Sequence, residues 1–215
     1  MKKSLLSLAL AALAISSANA QLHYRSSSFA GIKAGGAAAS FIGDDAKNMQ
    51  YVYGFQAGLF ANLALSRPFS IQPELLYSMK GSQTPAAYLT QSTVWLNYID
   101  LPVAFRATTK DGLFLEAGPQ VSFLINAKSD FTGEKVSVKS DYKPVDIGFV
   151  LGAGYQPLKG GLGIGGRYNA GFNTALKDVA DSRVLTPDLR NSAFQVYLTY
   201  SRPTLHKKTN KKKEK

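Results

Sequence analysis

The chain has no cysteine in its 215 residues. Disulfide staples, thiol nucleophiles and thiolate metal sites are therefore excluded. Histidine is nearly absent: His23 and His206 are the only two, and both lie outside every segment with strand character. General acid–base work most often uses histidine, so a Ser–His or His–metal site in the body of the chain is excluded as well. Beyond the first twenty residues no stretch approaches the ~20 apolar residues of a spanning helix, so any insertion into a membrane must be made by strands. A basic body is also missing. The formal charge of +11 is concentrated at the ends: Lys2 and Lys3 at one, and six lysines against one glutamate in His206–Lys215 at the other, leaving 21–205 near +4. The broad basic face that nucleic acid would require is not there, and no nucleic-acid partner is expected.

What is present begins with an export signal. Met1-Lys2-Lys3 is a basic start, Ser4 to Ser17 is rich in Leu and Ala, and Ala18-Asn19-Ala20 is an A-x-A cleavage pattern. Cleavage after Ala20 is expected, with Gln21 as the first mature residue. The apolar run is too short for an anchor helix.

The mature part alternates apolar and polar residues at period two in eight segments, about 28–39, 51–65, 70–80, 94–107, 112–124, 144–155, 161–172 and 192–201. The gaps alternate as well. Ser66–Phe69, Thr108–Asp111 and Gln156–Gly160 are tight, whereas about 40–50, 81–93, 125–143 and 173–191 are long and polar. Short periplasmic turns, long outward loops and an even strand number belong to outer-membrane barrels. A soluble lipocalin-like barrel alternates too, with its faces exchanged, so the faces must decide. One face is bulky and apolar, for example Phe55, Leu59 and Leu63, or Ile147, Phe149 and Leu151. The other mixes glycine with Lys33, Glu74, Lys80, Asp100, Arg106, Glu116, Asp146 and Arg167, four charges of each sign. Glycine weakens a strand unless space is scarce, and charge out of bulk water needs partners. Both fit a filled, charge-balanced lumen, with these eight residues as its ion-pair network. Ten aromatics then serve as membrane-interface anchors: Tyr51, Tyr53, Tyr77, Trp95, Phe123, Phe172 and Phe194 toward the outer rim, and Phe105, Tyr155 and Tyr200 toward the periplasm. The expected fold is all-β, an eight-stranded antiparallel transmembrane β-barrel built as an up-and-down meander. Its expected organisation is a signal peptide over 1–20, the barrel over 21–203 and a basic tail over 204–215, in the outer membrane of a Gram-negative cell.

Gly31-Ile32-Lys33-Ala34-Gly35, Gln72-Pro73-Glu74-Leu75-Leu76-Tyr77-Ser78 and Leu96-Asn97-Tyr98-Ile99-Asp100-Leu101-Pro102 resemble the PorT-type outer-membrane β-barrel proteins of Bacteroidetes. So do Glu116-Ala117-Gly118-Pro119, Gly152-Ala153-Gly154-Tyr155 and Gly166-Arg167-Tyr168-Asn169-Ala170-Gly171, in order across nearly the whole mature chain. The resemblance implies a barrel inserted by the general assembly machinery. It carries no catalytic motif, and the family's namesake is associated with protein secretion across the outer membrane. Many such barrels end on an aromatic residue; here Tyr200 is followed by Ser201-Arg202-Pro203 and the lysine-rich tail.

Sites for chemistry are few. Glu116 and Asp146 face inward on neighbouring strands and read as ion-pair partners of Arg106 and Arg167 rather than as a catalytic dyad. Gly161-Leu162-Gly163-Ile164-Gly165-Gly166 matches G-x-G-x-x-G, but the dinucleotide reading needs a helix next, and Arg167 to Phe172 alternates like a strand. Asp44-Asp45 lacks the six to eight oxygens of a calcium site. Pro73, Pro102 and Pro119 inside strands suggest bulges. The basic tail suits solvation or anionic lipid at the inner leaflet. The expectation is a non-enzymatic barrel without cofactor or metal. Its expected partners are outer-membrane lipid and the assembly machinery, with secretion components or surface glycans reached through the charged outer loops. The alternatives are an accessory role in secretion and a narrow solute channel.

Overall fold

A computed structural model of the chain describes residues 28–47, 49–84, 92–131, 134–177 and 187–204. The expected signal peptide, His23, His206 and the lysine-rich tail lie outside the described residues. Nine strands follow in order: β1 (Phe29–Ile42), β2 (Val52–Ser66), β3 (Phe69–Gln83), β4 (Ser92–Thr108), β5 (Leu113–Phe131), β6 (Glu134–Ser137), β7 (Val145–Tyr155), β8 (Gly161–Gly171) and β9 (Arg190–Pro203). All neighbours pair antiparallel, β1 meets β9, and β4 meets β5, so eight strands close a barrel. The four residues of β6 pair only with the upper end of β5 and stand outside the wall. Among the described residues no helix is long and apolar enough to cross a membrane.

The ladder partners define the shape. A path through Leu63, Ile71, Phe105, Ala117, Leu151, Tyr168, Phe194, Ala38 and Tyr53 circles the wall once and returns to β2 ten residues from its start. With strands ~4.7 Å apart and ~3.3 Å per residue, that stagger tilts the strands by roughly 40°. Both described chain ends lie at the end carrying the tight turns, where the Thr204 amide donates to the Ser28 carbonyl at 2.8 Å.

Through the central part of the wall the strands keep the period of two. In β7, Val145, Ile147 and Leu151 are exposed while Asp146, Gly148 and Val150 are covered. The outside carries Leu59, Leu75, Leu101, Leu115, Ile164 and Val196, all exposed, whereas Lys33, Glu74, Asp100, Arg106, Glu116 and Arg167 are buried inside. At ~25 cal/mol per Å² of apolar area, such an exterior is stable against lipid rather than water. A lipocalin-like arrangement would show the opposite assignment.

Two expectations are corrected. The prolines do not mark bulges. Each interrupts one ladder for two residue pairs, Pro73 between β2 and β3, Pro102 between β3 and β4 and Pro119 between β4 and β5, yet the register is the same on both sides. A missing N–H removes hydrogen bonds without adding a residue. Register shifts fall instead between Ala64 and Ser66, and at Asn97/Tyr98, where β5 carries one extra residue, Ile125. Second, the polar segments 81–93 and 125–143 are not all loop. β3 runs to Gln83, β4 starts at Ser92, and β5 continues to Phe131 before turning back as β6. Polar side chains above the lipid still pair their backbone.

Candidate functional site

The lumen is the most elaborate feature of the molecule, and it has three tiers. At the turn end and centre, Arg167 on β8 is the hub. Its Nη1 and Nη2 donate to Glu74 Oε2 and Oε1 at 2.8 Å each, and its Nε and Nη2 donate to Glu116 Oε1 at 2.8 and 2.6 Å. Lys33 Nζ donates to Glu74 Oε1 at 2.6 Å, and Arg106 Nη2 to Glu116 Oε2 at 2.7 Å. The Tyr197 hydroxyl donates to Glu116 Oε1 at 3.0 Å, its ring lies 4.1 Å below the Lys33 ammonium, and Gln72 Nε2 donates to Glu74 Oε1 at 2.6 Å. Gly165 makes room for that ring, because a Cβ there would come within 2.5 Å of it. The glycine-rich face is thus where large polar side chains of adjacent strands are housed, Tyr197 over Gly165 and Glu116 over Gly152.

The second tier lies toward the loop end. Lys80 Nζ donates to Asp100 Oδ1 at 3.1 Å and to Ser122 Oγ at 3.3 Å. Asp146 departs from expectation. It makes no ion pair with Arg106 or Arg167; Asn191 Nδ2 donates to its Oδ2 at 2.8 Å and to the Tyr98 hydroxyl at 3.1 Å. Register explains the difference. Glu116 lies opposite Arg106 and Gly152, and Gly152 lies opposite Arg167, whereas Asp146 lies opposite Ser122, six residues further toward the loops on β5. The lower tier therefore holds three cations and two anions, and the upper holds Lys80 against Asp100 and Asp146. The eight charges balance only over the two tiers together. A cavity of about 10 Å³, lined among others by Lys80, Ser122, Asp146, Asn169 and Asn191, has room for a single water molecule.

The third tier was missed by sequence reasoning. Phe41, Leu96, Tyr98, Leu124, Ala127, Tyr142 and Ala175 form a buried apolar cluster, with Val138, Leu176 and Leu189 against it. These residues cap the polar lumen at the loop end. Tyr142 bridges to Leu176, the Lys143 amide donates to the Ala175 carbonyl at 2.8 Å, and the Ala175 amide donates to the Leu189 carbonyl at 2.7 Å. Burial pushes the Tyr142 hydroxyl up to about 12, with Asp141 adding to the shift, so it stays neutral. Asp45 Oδ2 accepts from the Asp188 amide at 2.8 Å, so this acidic pair ties two outer segments together. The available signal was Leu96 and Leu124, apolar residues on the inward face near the loop ends of β4 and β5.

The expected aromatics lie on the outside. Tyr51, Tyr53, Phe123 and Phe172 are exposed toward the loop end, and Phe105, Tyr155 and Tyr200 toward the turn end. Tyr77 packs on Phe55 at 5.6 Å and Phe194 on Tyr168 at 4.8 Å. Tyr77 lies opposite Ala57, four residues nearer the turns than Tyr53, so it sits within the apolar band. Trp95 is half-buried, with the Lys135 ammonium 5.7 Å from its ring centroid. Among the described residues no group of three or more His, Asp or Glu is placed to hold a metal ion.

The barrel is similar in fold to Neisserial surface protein A (NspA), with a TM-score of 0.50 and 14% identity over 80% of this chain and 96% of that one. It is also similar to Ail, the attachment invasion locus protein of Yersinia pestis, with a TM-score of 0.46 and 14% identity over 81% and 99% of the two chains. At such identity the likeness is one of fold alone. No curated protein sequence matches. The model of the outer membrane protein beta-barrel domain family matches residues 19–177, and the chain belongs to that family.

Proposed function

We propose that the protein is a non-enzymatic envelope protein whose barrel is a sealed scaffold and whose specific contacts are made by its outer segments. The observation that carries this reading is the closed lumen. Buried ion pairs fill its lower part, and the apolar cluster around Tyr142 covers its loop end. With short turns on the periplasmic side, the exposed surface is made by β6, by the segment from Lys139 to Asp141, and by the segments around Asp45 and Asp188. Surface glycans or protein partners would meet it there; lipid meets the wall, and the assembly machinery inserts it. Export would follow cleavage after Ala20. In planar bilayers, purified protein is expected to add no stable conductance to the bare membrane. A large, long-lived conductance would replace the scaffold reading with the narrow channel.

A second reading is an accessory role in protein secretion, favoured by the PorT-type motifs, of which Glu74, Glu116 and Arg167 form the lumen hub. Deleting the gene and comparing the secreted proteins separates the two. The scaffold reading expects an unchanged set, and broad loss of secreted proteins would establish the accessory role.

A further inference from the structure

The extra residue in β5 has an effect on chemistry. On the turn side of Ile125 the even-numbered residues Glu116, Gln120, Ser122 and Leu124 point inward. Beyond it the parity reverses: Ala127 is buried in the apolar cap and Lys128 is exposed. Without the bulge, Lys128 would enter the cap. Bulges re-aim side chains in this way. Lys128 is delivered to the lipid-facing side of the wall, above Phe123 and Ile125 and opposite Trp95 in the ladder. From the other side, β6 brings Lys135 over the same indole at 5.7 Å. Among the described residues neither lysine has an ion-pair partner. Asp130 is opposite Lys135 on the same rim, so the cluster keeps one net positive charge.

We propose that Trp95, Lys128 and Lys135 form a binding site for the phosphate headgroup of a lipid in the outer leaflet. These side chains continue the lipid-facing column sideways from the wall, rather than projecting from the loop tips toward solution. Tryptophan prefers the headgroup level, and lysines there reach to anionic groups while their stems cover apolar surface. A phosphate accepts from both ammonium groups, while the lipid's chains lie along Phe123 and Ile125. The site is independent of any loop-mediated partner.

Trp95 is the only tryptophan in the chain, so its fluorescence reports the site directly. The full-length protein, folded into phosphatidylcholine vesicles, is titrated with phosphatidic acid as the phosphomonoester probe. A saturable change in Trp95 emission is expected. Two lysines near the surface make the Lys128→Gln, Lys135→Gln double variant roughly 30-fold weaker, while Lys128→Arg keeps the response. The mobility of unboiled protein on gels reports that each variant is folded. An unchanged emission, an equal response in the double variant, or an equal response to inorganic phosphate without the lipid would overturn the proposal, the last in favour of a soluble anion.

Discussion

Replacing Glu116 with leucine is expected to destabilise the barrel by roughly 3–5 kcal/mol, the cost of leaving a buried charge without its partner. Glu116 accepts from Arg106, twice from Arg167 and from Tyr197, and both arginine side chains are almost wholly enclosed. Without it Arg106 has no carboxylate and Arg167 keeps only Glu74, so three cations face one anion. Arg167→Met is the instructive contrast. It removes the same number of hydrogen bonds, four. Yet it leaves Lys33 with Glu74 and Arg106 with Glu116, two complete pairs. If charge balance governs, the arginine variant is the milder one, and the double variant is more stable than Glu116→Leu alone. Urea midpoints of the protein folded into lipid vesicles measure this. Equal losses in the two single variants, or additive losses in the double, would assign the cost to hydrogen bonds instead.

The residues that sequence reasoning found and those it did not differ for physical reasons. The wall was readable because lipid on one side and a crowded polar lumen on the other impose strict alternation, as in Ile147, Phe149 and Leu151 against Asp146, Gly148 and Gly152. Even the weak first segment forms a full strand. Its small residues let the neighbouring backbone approach closely, for example at Gly35, where a Cβ would come within 2.6 Å of the Tyr197 Cα. The outer ends were not readable for the same reason. Above the lipid there is no apolar face to mark, so Lys128 and Asp130 look like loop although their backbone is paired. Ile125 then shifts the parity, which a fixed period cannot follow. The partner of Asp146 was misjudged because composition gives the sign of each charge but not its height, and the stagger puts it beside Asn191. The apolar cap draws on residues from Phe41 to Leu189, brought together only by closure of the barrel.

The same closure makes the outside of the barrel the sharpest test of its setting. Leu151 lies in the middle of β7, is 57% exposed and points away from the lumen. In water an arginine at an exposed strand position costs little, within ~0.5 kcal/mol. At the middle of a bilayer it costs roughly 2–4 kcal/mol, falling to about 0–1 near the interface. Leu151→Arg is therefore expected to lower stability in lipid vesicles by roughly 2–4 kcal/mol, and Val145→Arg, on the same face at the loop end of β7, by at most about 1. The difference between the two positions carries the information, because both changes add the same charge to the same face of one strand. A soluble barrel would show no gradient with depth. An uncovered lumen would instead make inward positions such as Gln120 more tolerant of charge than Leu151, since water would reach them. Equal, small effects at 151 and 145 would mean that the apolar exterior does not face lipid.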